Sequence, residues 1–274
     1  MALIMTRDLP SFESVAPGST ATLSVPIGWT YHDFLITRKN LPLDQINEVR
    51  LVVDGKTRQR FVGGAARLDA INQYCGMAAS EGADGVVRLM QDRYGLIGRD
   101  GRELTALGTG RSSNSDHDEP SNVTIEVDID SAAENPQLSC KARRSSSRRI
   151  DRILELKEFR YSPAGSGESQ ISDLPISDGP NINKIYLFSS DINSVELQRD
   201  DRTIFLRTPE ENNLVQSDGI RKPQAGLFVV DPSEDGYGAD PIATAGVSDF
   251  RLTVDMAAAG TLPVVVEYMR RFRS

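Results

Sequence analysis

The stretch INEVRLVVDGKT, Ile46 to Thr57, returns 146 residues later as INSVELQRDDRT, Ile192 to Thr203, with six of twelve positions identical. Within it Val49, Leu51 and Val53 alternate with Glu48, Arg50 and Val52, the period-two pattern of a half-buried strand. Asp54-Gly55 is a strong short signal for a hairpin turn, so Thr57 to Val62 is expected to be the returning strand. A second block behaves alike: VDIDSAAENPQLSCKARR, Val127 to Arg144, returns as VDMAAAGTLPVVVEYMRR, Val254 to Arg271. A shorter match pairs Val25-Pro26-Ile27 with Leu174-Pro175-Ile176. Three matches in the same order point to one domain built twice, with units 1–148 and 149–274.

The segments around these blocks read as β structure. Residues 1–10 form an arm or edge segment, and Phe12 to Val15 and Thr20 to Ile27 flank a Pro17-Gly18 turn. Tyr31 to Thr37, Gly85 to Gln91, Asn122 to Ile129 and Gln137 to Arg143 complete the first unit. In the second, Ile153 to Tyr161 fits helix or strand equally, and its place in the repeat, opposite Leu9 to Val15, selects strand. Gln170 to Ile176, Lys184 to Ser189, the hairpin Val195 to Arg207 around Asp200-Asp201, Gly226 to Val230, Ile242 to Val247, Asp249 to Met256 and Pro263 to Phe272 follow. One short helix follows the hairpin in each half: Ala65 to Tyr74, with Leu68 and Ile71 at helical spacing, and the run after Thr208-Pro209-Glu210-Glu211, an N-cap, a first-turn proline and two acids. The fold class is therefore all-β: two tandem eight-stranded jelly-roll β-barrels, each with a short helix. From Val49 to Val127 is 78 residues and from Val195 to Val254 is 59, so the first half carries 19 extra. These are assigned to Asp92 to Glu119, read as an exposed outward loop.

Composition narrows the function. Lys and Arg number 31 against 39 Asp and Glu, a net charge of −8, which argues against a nucleic-acid-coating surface and against sequence-specific nucleic-acid binding. Cys75 and Cys140 are the two cysteines; they imply no disulfide framework and read as small buried apolar residues. The N-terminal MALIMTRDLP lacks the pattern of a secretory leader, and no run approaches a spanning helix. With His32 and His117 the two histidines, triad or zinc chemistry has little material, and His32 is read as structural. Asp116, Asp118 and Glu119 carry oxygen ligands suited to Ca²⁺, although a solvated acidic loop is the simpler reading. Asp128, Asp130 and Glu134 lack the glycine and terminal glutamate of a calcium loop. No carboxylate pair stands out as acid and base, so a non-enzymatic protein is expected.

The segment Lys141 to Arg160 holds eight basic and three acidic residues inside this acidic chain. Arg143, Arg144, Arg148 and Arg149, together with Arg270, Arg271 and Arg273, are expected to form a basic base that faces anionic lipid; a solvated linker and tail is the competing reading. The repeat puts Arg143-Arg144 and Arg270-Arg271 at equivalent ends of the two barrels.

The blocks VAPGSTATLSVPIGWTY (Val15 to Tyr31), INEVRLVVDG (Ile46 to Gly55), LTALGTG (Leu104 to Gly110), IEVDIDSAAENPQLS (Ile125 to Ser139), ISDLPI (Ile171 to Ile176), DFRLTVD (Asp249 to Asp255) and VVVEYM (Val264 to Met269) resemble the corticovirus major capsid protein family, in the family's order and over nearly the whole chain. The loop Arg93 to Asp118 departs from the family pattern. The resemblance implies a double jelly-roll coat protein made in a host bacterium's cytoplasm and residing in the virion capsid. It also implies homotrimers that act as pseudo-hexagonal tiles of an icosahedral, tailless phage shell around an internal membrane, with penton or vertex proteins and membrane-associated virion proteins as partners. Structural Ca²⁺ accompanies the family, without ligands that map onto this chain. The alternative is a tandem β-sandwich carbohydrate- or ligand-binding module, for which Trp29, beside Gly28 and Tyr31, would be the stacking anchor.

Overall fold

The computed structural model describes residues 3–110, 119–177, 179–235 and 241–272. In chain order the first unit comprises β1 (Met5–Asp8), β2 (Thr20–Ser24), β3 (Thr30–Lys39), β4 (Ile46–Val53), β5 (Lys56–Val62), α1 (Gly64–Tyr74), β6 (Gly85–Met90), α2 (Arg99–Glu103), β7 (Leu107–Gly108), β8 (Val123–Ile129) and β9 (Gln137–Ser145). The second comprises β10 (Arg152–Tyr161), β11 (Gly167–Ile171), β12 (Asn181–Phe188), β13 (Ile192–Arg199), β14 (Arg202–Arg207), α3 (Pro209–Gln216), β15 (Leu227–Val230), β16 (Ile242–Ala243), β17 (Phe250–Met256) and β18 (Leu262–Arg271).

Each unit is a jelly roll. In the first, the order β1-β9-β3-β6 faces the order β2-β8-β4-β5; in the second, β10-β18-β12-β15 faces β11-β17-β13-β14. The units share a sheet: β5 meets β10 in a parallel contact at Gln59 and Leu156, so two four-stranded sheets run on as one. A helix follows the β4–β5 and β13–β14 hairpins alike, as expected.

The repeated stretch explains its own identities. Ile46, Val49 and Leu51, with counterparts Ile192, Val195 and Leu197, are buried core residues. Asn47 and Asn193 each sit where the ladder to the neighbouring strand slips by one, between Ile46 and Glu48 and between Ile192 and Ser194. A bulge places an extra residue in one strand and re-aims its side chain. Asp54 and Gly55 have φ of 51° and 73°, and Asp200 and Asp201 have 47° and 61°, the left-handed pair that a tight hairpin needs. The Asp54 carboxylate accepts from the backbone N–H of Ser121 and Asn122, and that of Asp200 from Ser248 and Asp249. Each aspartate thus ties its hairpin to the segment before β8 or β17. The Cβ that any other residue would place at Gly64, where α1 starts, falls 1.5 Å from the Ile46 carbonyl oxygen.

Several expectations are corrected. Phe12 to Val15 is not a strand; Glu13 makes an isolated bridge to Thr22, and Phe12 is a buried anchor. Pro10 and Pro17 cannot donate to a ladder, and Ser14 has a φ of 57°. The first strand is β1 instead, so the expected edge segment is an edge strand. It pairs Met5 with Arg144 as β10 pairs Glu155 with Tyr268, which makes β1, not Leu9 to Val15, the counterpart of β10. The Arg-Arg match also shifts. β3 bulges at His32, between the pairs Tyr31–Arg144 and Asp33–Arg143; β12 bulges at Asn183, between Ile182–Tyr268 and Lys184–Glu267. The structural counterparts of Arg143 and Arg144 are therefore Glu267 and Tyr268. The turn before β18, residues 257–261, is shorter than that before β9, residues 130–136, and an odd shift would turn inward residues outward.

Asp92 to Glu119 is the largest correction. Its described part is not an outward decoration: Asp92, Arg93, Tyr94, Leu96, Thr105, Ala106 and Leu107 are buried. The span between β6 and β8, residues 91–122, does hold most of the excess over residues 231–249 between β15 and β17. Its glycines and charges serve a tightly folded filler between the barrels.

Candidate functional site

The seam between the barrels is where the two repeats diverge. Along β18 every residue from Leu262 to Met269 is buried, whereas β9 shows mixed exposure along its length. Alternate β18 side chains serve different cores. Val264, Val266 and Tyr268 fill the second barrel; Val265 and Met269 join Tyr186, Leu227 and Val229 in the cluster that holds Leu68, Ile71 and Tyr74 of α1. A strand covered on both faces reads as a continuous apolar run, which VVVEYM does.

Buried polar groups of this seam centre on one connected network. Lys184 and Asp231 both have 0% side-chain exposure and lie 3.2 Å apart. Lys184 also donates to the Tyr94 carbonyl at 2.7 Å and to Ser233 Oγ at 3.1 Å. Asp231 accepts from Arg221 at 2.8 Å and from the Tyr74 hydroxyl at 2.9 Å. Arg93 donates twice to Asn183 Oδ1, and Asn183 and Tyr186 donate to Glu267. Burial pushes the Asp231 carboxyl upward, but Lys184, Arg221 and the hydrogen bonds outweigh it and hold the group at about 2. Burial raises Glu267, against the lowering influence of Lys184 and its two donors. Arg93 and Tyr94 come from the first barrel's long segment, Tyr74 from α1 and the rest from the second barrel, so the network locks the units together. The loss of one partner would strand a buried charge.

A second clasp runs along β10. Glu155 takes Arg58 from β5, with Lys157 at 3.3 Å and Arg270 at 3.1 Å. Glu158 takes Arg67 from α1, and the Arg67 guanidinium lies over the Phe188 ring.

The predicted basic residues divide. Arg143 pairs with buried Asp33 at 2.8 Å, together with Arg88 at 2.7 Å. Arg144 lies over the Trp29 ring, 4.0 Å from its centre, and Arg270 is held by Glu155. Arg148 donates to the Glu103 carbonyl at 2.6 Å but is exposed, as are Arg149 and Arg271. Arg273 lies outside the described residues. Arg271 and Arg152 are cross-strand neighbours and, with Arg270, line a cleft of about 270 Å³ beside Gly179 and Pro180. The connection 146–151 joins the C-terminal end of β9 to the N-terminal end of β10, which pairs with the C-terminal end of β18.

Asp116 and Asp118, the calcium candidates, lie outside the described residues; Glu119 is half-buried. Among the described residues, no three His, Cys, Asp or Glu side chains converge as metal ligands. Asp128 instead binds Arg50, which also takes Glu48 and Glu126. The cysteines are free thiols, and burial pushes that of Cys140 up to about 12. Trp29, the glycan-anchor candidate, has its ring face occupied by Arg144.

One constellation was missed by sequence reasoning. The His32 bulge aims Nε2 at Ser145 Oγ, 2.9 Å, and Nδ1 at Asp92 Oδ1, 3.3 Å. The contacts follow the order of a Ser-His-Asp triad. Ser145, His32 and Asp92 are all buried, so no substrate carbonyl reaches the hydroxyl, and the trio ties β3, β9 and the long segment together. The sequence shows only His32 and Asp33 side by side in a strand that is otherwise largely apolar, with no pointer to Ser145 or Asp92. Among the described residues no helix is long and apolar enough to cross a membrane.

Comparison with known proteins fits this architecture. The viral coat protein P2 N-terminal domain matches residues 6–146 and the viral coat protein P2 C-terminal domain matches 153–272. The major capsid protein P2 of Pseudoalteromonas phage PM2 is 23% identical over 265 residues, 96% of this chain and 95% of that protein. The crystal structure of the major capsid protein P2 from Bacteriophage PM2 superposes with a TM-score of 0.87 at 22% identity, covering 98% of each chain. The STIV MCP crystal structure gives a TM-score of 0.67 at 9% identity, over 97% of this chain and 96% of that one.

Proposed function

The chain belongs to the viral coat protein P2 family, and from that premise we propose that it tiles the shell of an icosahedral, tailless, internal-membrane phage as a homotrimer of six barrels. The units are taken as 1–148 and 149–274, with the boundary inside the connection 146–151 between β9 and β10. The observation that carries the trimer is an uncovered edge. β5 is flanked by β10, whereas its counterpart β14 pairs with β13 alone among the described strands. That edge bears Ile204 and Leu206, 41% and 60% exposed, and the adjoining α3 bears Leu214, 79% exposed. Natural edge strands are blunted with charge when solvent covers them; this one carries apolar groups, as an edge awaiting a partner does. Light scattering on the purified chain at micromolar concentration is expected to give three times the chain mass of 30.0 kDa; a clean monomer would sink the reading.

The basic end is the side we assign to the anionic membrane. Arg143, Arg144 and Arg270 are engaged within the chain, so the exposed Arg148, Arg149 and Arg271 carry the contact, each contributing about 1 kcal/mol near anionic lipid. Replacing those three with Gln is expected to leave the trimer intact and to weaken binding to phosphatidylglycerol vesicles; unchanged binding removes the assignment. Vertex and membrane-associated virion proteins are the further partners of such a shell. A carbohydrate-binding module is not favoured, because the Trp29 ring is already covered.

A further inference from the structure

The two barrels match closely in backbone at the end where β3 and β12 begin. Aligned on their bulges, these strands put Gly28, Trp29 and Thr30 at the places of Gly179, Pro180 and Asn181. A two-residue strand borders each end in the same way: β7 pairs Gly108 with Thr30, and β16 pairs Ala243 with Asn181. The next residue repeats as well, since the Thr109 hydroxyl donates to the Trp29 carbonyl and the Thr244 hydroxyl to that of Pro180.

The side chains diverge. In the first barrel Arg144 lies over the Trp29 ring, and Gly110 sits so near Ser147 that a Cβ on it would fall 2.0 Å from the Ser147 hydroxyl oxygen. In the second, the pairings Thr30–Ser145 and Asn181–Met269 bring Arg271, two residues on, to the place of Ser147. A proline thus replaces the tryptophan and an arginine the serine. The end stands open there, as the cleft of about 270 Å³ that Arg152, Arg270, Arg271 and Asn181 line. Drug-sized ligands take roughly 300–1,000 Å³, so this cleft suits a smaller group.

Its charge is unbalanced. Arg152 and Arg271 lie directly opposite each other across the β10–β18 ladder, and like charges so placed repel. Asp151, 76% exposed, approaches Arg152 only to 3.9 Å, and Arg271 makes no ion pair among the described residues. Behind them Glu155 is shared by Arg58, Lys157 and Arg270, three cations to one acid, so it does not offset the cleft.

We propose that this cleft binds phosphate: the Arg152 and Arg271 guanidinia bridge one phosphate or phosphodiester group, and the Asn181 amide donates to it. A guanidinium fork matches phosphate oxygens bidentately, and an anion held between the two arginines turns a repulsive cross-strand pair into an attractive cluster. Where a lipid headgroup carries the phosphate, the proposal rests on the membrane assignment above; for the free ion it does not.

Calorimetric titration of the full-length chain with inorganic phosphate, at constant ionic strength, is expected to show one saturable site per chain. Arg152→Gln and Arg271→Gln should each weaken it about tenfold, the loss of one charge-assisted hydrogen bond. The pair Arg152→Lys with Arg271→Lys keeps the charge but loses the forks, and should weaken it too. Lys56→Gln with Arg202→Gln, which removes two exposed cations from the hairpins, should leave it unchanged. Without phosphate, Arg271→Gln should melt no lower than the unsubstituted chain, so lost binding is not lost folding. Phosphatidylglycerol vesicles identify the source: weaker binding by the lysine pair assigns the site to a lipid headgroup, and vesicle binding that the pair leaves untouched, or that is absent, assigns it to the free ion. Phosphate binding retained in full by the lysine pair means a diffuse basic end. That result, or no saturable binding by the unsubstituted chain, overturns the cleft while leaving the membrane assignment standing.

Discussion

The two sheets β1-β9-β3-β6 and β10-β18-β12-β15 descend from the same repeat and occupy the same place in their barrels, yet they live in different solvents. The second has the other barrel packed on its outer face. There Lys184, Tyr186, Leu227, Val229 and Val265 are all buried. The first presents Leu35, Val86, Arg88, Lys141 and Arg143, half-buried or exposed. At matching positions, Lys184 faces Asp231 with no water access, while Asp33 faces Arg88 and Arg143, whose side chains are 28% and 37% exposed. The same topology thus tolerates a dry, fully paired network on one sheet and a wet one on the other. What differs is the cover, not the ladder.

The sharpest way to break the comparison is to remove one buried acid from each sheet's network. Asp231→Ala strands Lys184 and Arg221 in the dry seam and is expected to cost about 3–5 kcal/mol in denaturant unfolding. Asp33→Ala leaves arginines that water can reach, and a loss of about 1–2 kcal/mol is expected. Equal losses would mean that the seam is hydrated. The pH dependence sharpens the same point. Asp231 is held at about 2 in the folded chain, below its ordinary value of 3.8. Its contribution is therefore complete above the ordinary carboxylate range and is lost as pH falls from about 4 through about 2. Glu267, raised by burial, acts in the opposite sense: its contribution is complete below its ordinary value and is lost as pH rises through its elevated folded one. Unfolding followed from pH 5 down to pH 2 should show a steeper loss of stability for the unsubstituted chain than for Asp231→Asn, and parallel curves would remove Asp231 as the source. The smallest effect lies where the repeats agree. Asp54→Ala and Asp200→Ala each free two backbone N–H groups at exposed turns, and each should cost about 1 kcal/mol, with the two losses alike to within a few tenths.

Much of this was legible beforehand, for reasons that differ by residue. Val49, Leu51 and Val53 announce a strand because alternation is a local property, and Asp54-Gly55 announces a turn because few residues tolerate positive φ. Thr208 announces the start of α3 and does cap it, its hydroxyl accepting from the Glu211 N–H while the Glu211 carboxylate accepts from the Thr208 N–H. The filler role of Asp92 to Leu107 was not legible. Its polar composition is that of a loop, and its burial arises from contacts with both barrels, not from any local period. The Ser145–His32–Asp92 trio was invisible for a related reason: its members lie far apart in the chain and meet through a bulge. The apparent Arg-Arg equivalence misled because letters align without regard to which face of a strand they occupy.

The amino-acid sequence by itself determined the duplication, the β class, both hairpins and both helices that follow them, since each rests on spacing within a short window. Tertiary structure alone decided which sheet of each barrel is covered, which arginines are spent on internal partners and which edge stays open. Those outcomes depend on desolvation, and whether a surface loses its water is settled by what the rest of the chain packs against it.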